Sequence, residues 1–165
     1  MKKLIFINGP VGVGKSATCE ILYKKINKSV WLDGDWCWMM NPWDFSETNK
    51  RMAENNILHL LNNYLENKSF DCVIFSWVMP EERIFDVIIK SLKSREYGLY
   101  KISLVCSKEE LEKRCRNTGK DERGVKRSQE NLKSCANLRT VKIDTTVKTP
   151  EEAVKEILKI VNIER

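Results

Sequence analysis

Gly9-Pro10-Val11-Gly12-Val13-Gly14-Lys15-Ser16 satisfies the pattern G-x-x-x-x-G-K-[ST] in full, and no other stretch restricts the fold of this chain as tightly. The apolar run Leu4-Ile5-Phe6-Ile7 precedes it and reads as a buried parallel strand. A helical pattern through Ala17, Ile21, Leu22 and Ile26 follows at once. Strand, glycine loop and helix are the context in which this pattern cradles phosphate. The glycines allow backbone N–H groups to turn inward on an anion, and the helix start adds partial positive charge. Lys15 can then reach the terminal phosphates, and the Ser16 hydroxyl can ligate Mg²⁺. The loop predicts a bound nucleoside triphosphate, with Gly9, Val11, Gly12, Val13, Gly14, Lys15, Ser16 and Ala17 as its contacts.

At 165 residues the chain is expected to form one domain, residues 1–165, long enough to bury a sizeable core. No apolar stretch approaches the length of a membrane span, which predicts no membrane partner. The basic start Met1-Lys2-Lys3 leads straight into the strand and phosphate loop and is not a secretory signal, so a cytoplasmic protein is expected. Six cysteines are scattered without a C-x-x-C pair, and without export a disulfide framework is not expected. His59, the only histidine, lies in a helical pattern and reads as structural rather than as a metal ligand.

The net charge of +6 suggests an anionic ligand, and its distribution says more than its total. Lys113, Arg114, Arg116, Lys120, Arg123, Lys126 and Arg127 crowd into one short segment. Such a run is commonly a solvated helix face and loop, and elsewhere it is a nucleic-acid footprint. Behind a phosphate loop the better reading is a mobile lid, over about residues 116–127, that brings cations onto the triphosphate.

Strand-length apolar runs recur at Leu4–Ile7, Val30–Leu32, Cys72–Trp77, Ile102–Cys106 and Val141–Ile143. Helical patterns separate them: Ser46 to Leu65, Glu81 to Leu92 with Ile84, Val87, Ile88 and Leu92 inward, a start at Ser107, and a start at Thr149. Ser107 with Glu110, and Thr149 with Glu152, have capping-box spacing, and Pro150 suits a first helical position. This alternation predicts a three-layer α/β/α domain around a five-stranded parallel sheet.

Leu32-Asp33-Gly34-Asp35 closes the second strand, and in an open parallel sheet that turn should lie beside the phosphate loop. One carboxylate could hold Mg²⁺ through water while the other accepts a proton from an attacking hydroxyl. The pairing of Gly9–Ser16 with this turn resembles the small nucleotide-kinase-like phosphotransferases: gluconate, adenylylsulfate and shikimate kinases and chloramphenicol phosphotransferases. Val73–Pro80 followed by Arg83 is similar to their third strand and substrate-side turn. Leu111-x-x-Arg114 with Arg116 and Arg123 is similar to their lid. Ile143-Asp144-Thr145-Thr146 and Thr149–Glu152 are similar to their closing strand and final helix.

The resemblance implies a P-loop NTPase fold and an ATP-dependent phosphotransferase using Mg²⁺. It implies that Asp35 contacts the acceptor hydroxyl as base or orienting group, and that Asp33 lies near the metal with Ser16. Arg114 would stack on adenine, the loop around Lys148 would line the base site, and Arg123, with Arg116, would meet the transferring phosphate alongside Lys15. Arg83 would lie on the substrate side with Asp33 and Asp35.

One departure from the group is the third strand, which ends in Phe75-Ser76-Trp77 where an acidic residue is expected. The roles of Asp33 and Asp35 are interchangeable by sequence. Trp36-Cys37-Trp38-Met39-Met40-Asn41-Pro42-Trp43 offers either an aromatic acceptor pocket, with Trp36 on the substrate, or packing for the next helix. A GTPase is disfavoured: no N-K-x-D is present, and the D-x-x-G match Asp121-Glu122-Arg123-Gly124 falls in the basic segment. A nucleic-acid-directed ATPase or polynucleotide kinase, and a nucleotide sensor that does not catalyse, are the other readings of the same motifs. The acceptor itself, whether small molecule, nucleotide or nucleic-acid end, is left open.

Overall fold

The computed structural model describes residues 1–163; residues 164 and 165 of the expected domain lie outside the described residues. The chain order is β1 (Lys2–Asn8), α1 (Lys15–Lys25), β2 (Ser29–Asp33), a 3₁₀ turn (Gly34–Trp38), α2 (Glu47–Glu66), β3 (Cys72–Trp77), α3 (Glu82–Ser91), β4 (Tyr97–Val105), α4 (Lys108–Asn117), α5 (Glu122–Asn137), β5 (Val141–Asp144) and α6 (Pro150–Ile160). All five strands are parallel, in the order β2-β3-β1-β4-β5.

Strand β1 is central because Leu4, Ile5, Phe6 and Ile7 are apolar on both of its faces, and all four are fully buried. Alternate residues feed separate cores. Ile5 and Ile7 pack with Cys19 and Leu22 of α1 and with Val154 and Ile157 of α6. Leu4 and Phe6 pack with Ile57 and Leu61 of α2 and with Phe85 and Ile88 of α3. This is the predicted three-layer α/β/α fold. From β1 the chain winds one way into β2 and β3 and the other way into β4 and β5. The crevice at such a reversal, beyond the carboxyl ends of the strands, is where open α/β sheets bind ligands.

Three features depart from the sequence pattern. Strand β4 starts at Tyr97 rather than Ile102, because β1 pairs with it from Lys2↔Tyr97 onward although its first half is only partly covered. On α3 the inward positions are Phe85, Ile88 and Leu92, while Val87 is 52% exposed. Helix α5 has no counterpart among the helical patterns of the sequence, and its first turns fall within the basic segment read as a lid. Its buried residues, Val125, Ser128 and Cys135, are too small and sparse to give an apolar period. Val125 belongs to one core and Cys135 to the other, so α5 passes from one layer to the other.

The caps follow the residue types. Thr149 and Glu152 form the full reciprocal box at the start of α6, with Pro150 at the first position. Ser107 accepts from the Glu110 N–H at 3.1 Å, but the Glu110 carboxylate turns to Arg114 instead, so only half of that box forms. Asp121 accepts from the Gly124 N–H at 2.8 Å, which makes the D-x-x-G match a helix N-cap.

Candidate active site

The phosphate loop leaves β1 at Gly9 and enters α1 through Gly14, whose φ of 104° is left-handed. No side chain caps α1, so the N–H groups of Lys15, Ser16 and Ala17 have no intrahelical acceptor and face outward as anion donors. Lys15 Nζ donates to the carbonyls of Gly9 at 2.9 Å and Pro10 at 3.0 Å, closing the loop on itself. Burial pulls the Lys15 pKa down, opposed by the negative charges of Asp35 and Asp33. At Gly9, φ is 151°, and a Cβ would lie 2.7 Å from the Leu104 carbonyl oxygen and 2.8 Å from Val13 Cγ1. Gly9→Ala is expected to lower stability by about 3 kcal/mol. Thermal denaturation should register this as a Tm drop of roughly 6–12 °C.

The two carboxylates have different partners. Asp33, buried at the end of β2, accepts from the Asp35 backbone N–H at 3.0 Å and so caps the 3₁₀ turn. Its other oxygen accepts from Ser16 Oγ at 3.4 Å, which puts two hard oxygen donors together at the helix start. That donor set fits Mg²⁺, which takes one or two protein oxygens plus phosphate and water. In register with Asp33 on β3 is Ser76, fully buried, whose hydroxyl accepts from the Trp31 indole at 2.9 Å. The third strand therefore brings no carboxylate to this point.

Asp35 points elsewhere. Asp35 keeps part of its surface open to solvent, and its carboxyl pKa is raised, first by partial desolvation and then by the neighbouring Asp33 charge. Lys15, the Trp77 indole N–H and Lys120 act the other way. Trp77 itself packs on Gly34, where a Cβ would meet the indole at 2.6 Å, so a side chain at this position would displace the ring. The turn between the carboxylates is glycine because an aromatic ring covers it. Lys120 belongs to the basic segment read as a lid, whereas Trp77 escapes a motif-based reading; the available signal is an aromatic residue where the strand normally ends in an acid.

On the far side of the loop, Arg114 and Lys148 line one cavity. The Arg114 guanidinium donates to the Thr145 carbonyl at 2.7 Å and to the Val13 carbonyl at 3.2 Å, and Nε donates to Glu110 at 2.8 Å. Lys148 Nζ donates to the Asp144 carbonyl at 2.9 Å and pairs with Glu156 at 3.1 Å. Together with Val13, Gly14, Thr145 and Pro150 they border a cavity of about 250 Å³ that opens beside the loop.

Other predicted residues are less tightly gathered. Arg116 forms ion pairs with Glu112 at 2.8 Å and Glu122 at 2.7 Å, which fastens the end of α4 to the start of α5. Arg123 is exposed on the first turn of α5. Arg83 is exposed on α3, 3.5 Å from Glu81, and lines a second cavity with Trp77. Trp36 is 52% exposed, with its ring centroid 4.9 Å from that of Trp31, and it borders a surface hollow with Tyr23 and Ser29 rather than the Trp77 cavity. Trp38 is buried and stacks on Phe45 at 5.0 Å, with Trp43 at 5.7 Å, so that part of the segment packs against itself. His59 is exposed on α2, and all six cysteines are free. No described helix is long and apolar enough to cross a membrane.

Residues 5–134 match the family described as AAA domain. No curated protein matches the sequence. Among solved structures, the tunicamycin resistance protein of Deinococcus radiodurans is similar with a TM-score of 0.77 at 18% identity, over 99% of this chain and 98% of that one. A gluconokinase from Sinorhizobium meliloti gives 0.68 at 19% identity, over 96% and 90%. A shikimate kinase from Bacteroides thetaiotaomicron gives 0.63 at 17% identity, over 98% and 99%. At these identities the likeness is one of fold.

Proposed function

The chain belongs to the AAA domain family, and from that premise we propose that it is a Mg²⁺-dependent kinase that moves the γ-phosphoryl group of ATP to a hydroxyl or phosphate acceptor. The observation that carries this reading is the division of labour between two neighbouring carboxylates. Asp33 is committed to Ser16 and to the turn, while Asp35 stays beside Lys15 and Trp77 with its proton affinity raised. A loop that only bound nucleotide would not need the second acid.

In this reading the uncapped start of α1 and Lys15 bind the phosphates, and Arg114 and Lys148 border the base site. Mg²⁺, held by Ser16 with Asp33 behind it, would neutralise charge on the phosphates. Asp35 orients the acceptor hydroxyl in line and takes up its proton. Arg123 and Lys120, on the predicted lid over residues 116–127, supply further cations as that segment closes. Arg116 and Arg114 already have carboxylate partners, which weakens any reading of the basic run as a nucleic-acid track.

ADP formation, followed with and without Mg²⁺ across a panel of hydroxyl compounds, tests this directly. Stimulation by one acceptor class is expected; equal ADP formation with every compound and with none would mean a hydrolase or sensor instead. The pH dependence follows from the Asp35 environment. Asp35 must be ionised to accept a proton, so kcat/KM should fall as pH drops through a pKa above the ordinary aspartate range. Asp33→Asn removes one of the causes of the rise, so the acid limb of the pH profile should move to lower pH. A limb that stays fixed or moves upward would assign the titration to another group.

A further inference from the structure

A cleft between α2 and α3 opens at the carboxyl end of the sheet, and its side chains are Ile57, Leu58, Trp77, Ile84, Val87 and Ile88, with Glu54 and Arg83 as the only charged ones. Ile57 and Ile88 are buried at its floor, and Val87 is exposed at its rim. One wall is Trp77, the ring that also covers Gly34 between Asp33 and Asp35, so the cleft and the carboxylate turn share one side chain. The volume is about 120 Å³. Apolar cavities of roughly 150 Å³ hold a single benzene ring.

The chemistry of this wall excludes several acceptors. A sugar acid or polyol needs convergent hydrogen-bond donors and acceptors, and burying its hydroxyls against isoleucine and leucine leaves them unpaired. A nucleotide phosphate or nucleic-acid 5′ end needs several cations. Here Arg83 alone is available, and it already lies 3.5 Å from Glu81, with Glu54 on the opposite lining. The apolar floor, the single cation balanced by carboxylates and the small volume favour a neutral compound of ring size.

We infer that this cleft takes the apolar body of an uncharged, hydroxyl-bearing acceptor, one aromatic ring or short branched chain with an alcohol directed at Asp35. The inference rests on the phosphotransferase reading and specifies its substrate class. The acceptor oxygen forms a bond to the γ-phosphorus as the bond from that phosphorus to the bridging oxygen breaks. The bridging electron pair stays on ADP, the hydroxyl proton passes to the Asp35 carboxylate and then to solvent, and the products are ADP and a phosphate monoester.

The test compares kcat/KM for phenylethanol and cinnamyl alcohol with kcat/KM for gluconate, shikimate and AMP, and measures ATP affinity on the same samples. The aromatic alcohols should exceed the polar acceptors by about 100-fold, the size of effect expected where a pocket leaves polar groups unpaired. Val87→Glu alters an exposed position, so the fold should persist. It should raise KM for the alcohols about 10-fold or more by placing a charge at the apolar rim, while ATP affinity is unchanged. A preference for gluconate, shikimate or AMP would overturn the inference and leave the kinase reading standing. So would ATP turnover with none of the neutral alcohols accepting, or alcohol transfer indifferent to Val87→Glu. A protein that neither binds nor consumes ATP would overturn the kinase reading and this inference with it.

Discussion

Lys15→Ala should abolish phosphoryl transfer, with kcat reduced about 10³-fold or more, as when a preorganised charge clamp is removed from a developing oxyanion. Two effects combine. The ammonium is the cation that the loop sequence delivers to the terminal phosphates, and it also ties the Gly9 and Pro10 carbonyls together at 2.9 and 3.0 Å. Burial depresses its pKa, while Asp35 and Asp33 favour its charge. Alanine removes the charge that those carboxylates face, so the Asp35 pKa should rise further at the same time. Turnover equal to that of the unaltered protein would remove the whole scheme. Circular dichroism on the same sample separates lost chemistry from lost structure.

The second large effect is expected at Asp35. Asp35→Asn retains the shape of the side chain and its place beside Trp77 but cannot accept a proton. kcat should fall by about 10²- to 10⁴-fold, the usual span for loss of a positioned general base, while the dissociation constant for ATP changes little. Asp33→Asn should show the opposite balance, because Asp33 is the acid hydrogen-bonded to Ser16. If Asp35→Asn weakens ATP binding and leaves kcat intact, the roles are exchanged: Asp35 is then the metal-side residue and Asp33 the base. Single-turnover kinetics with saturating ATP distinguishes the two patterns.

The elements legible in the sequence are those whose burial is written in large side chains at a regular spacing. The runs Leu4–Ile7 and Cys72–Trp77, the phosphate loop, and the Thr149-Pro150-x-Glu152 start of α6 each state their conformation locally. Helix α5 does not, because it crosses between two layers on Val125, Ser128 and Cys135, and a chain rich in lysine and arginine there reads equally well as loop. The rotation of α3 that buries Phe85 and exposes Val87 depends on how that helix docks on Phe6, at a centroid distance of 5.9 Å from Phe85, and not on its own pattern.

At the candidate site, the loop and the Asp33-Gly34-Asp35 turn are legible because both are contiguous. What separates the two carboxylates is a partner from elsewhere in the chain: Ser16 for Asp33, Trp77 for Asp35. The acceptor cleft is assembled from α2, β3 and α3, far apart in sequence, so no local pattern announces it. Arg116 differs: Glu112 stands four residues before it on the same helix, a spacing open to a local reading, and Glu122 begins the next helix. Counting only the seven basic residues of that run passes over the two carboxylates that pair with Arg116.

Transfer to an acceptor is tested most directly by following the label of γ-labelled ATP with Mg²⁺. Label is expected on an organic phosphate monoester, formed one for one with ADP by the unaltered protein and lost in Asp35→Asn. Label appearing only as inorganic phosphate, or remaining on bound ATP whatever acceptor is supplied, would contradict it.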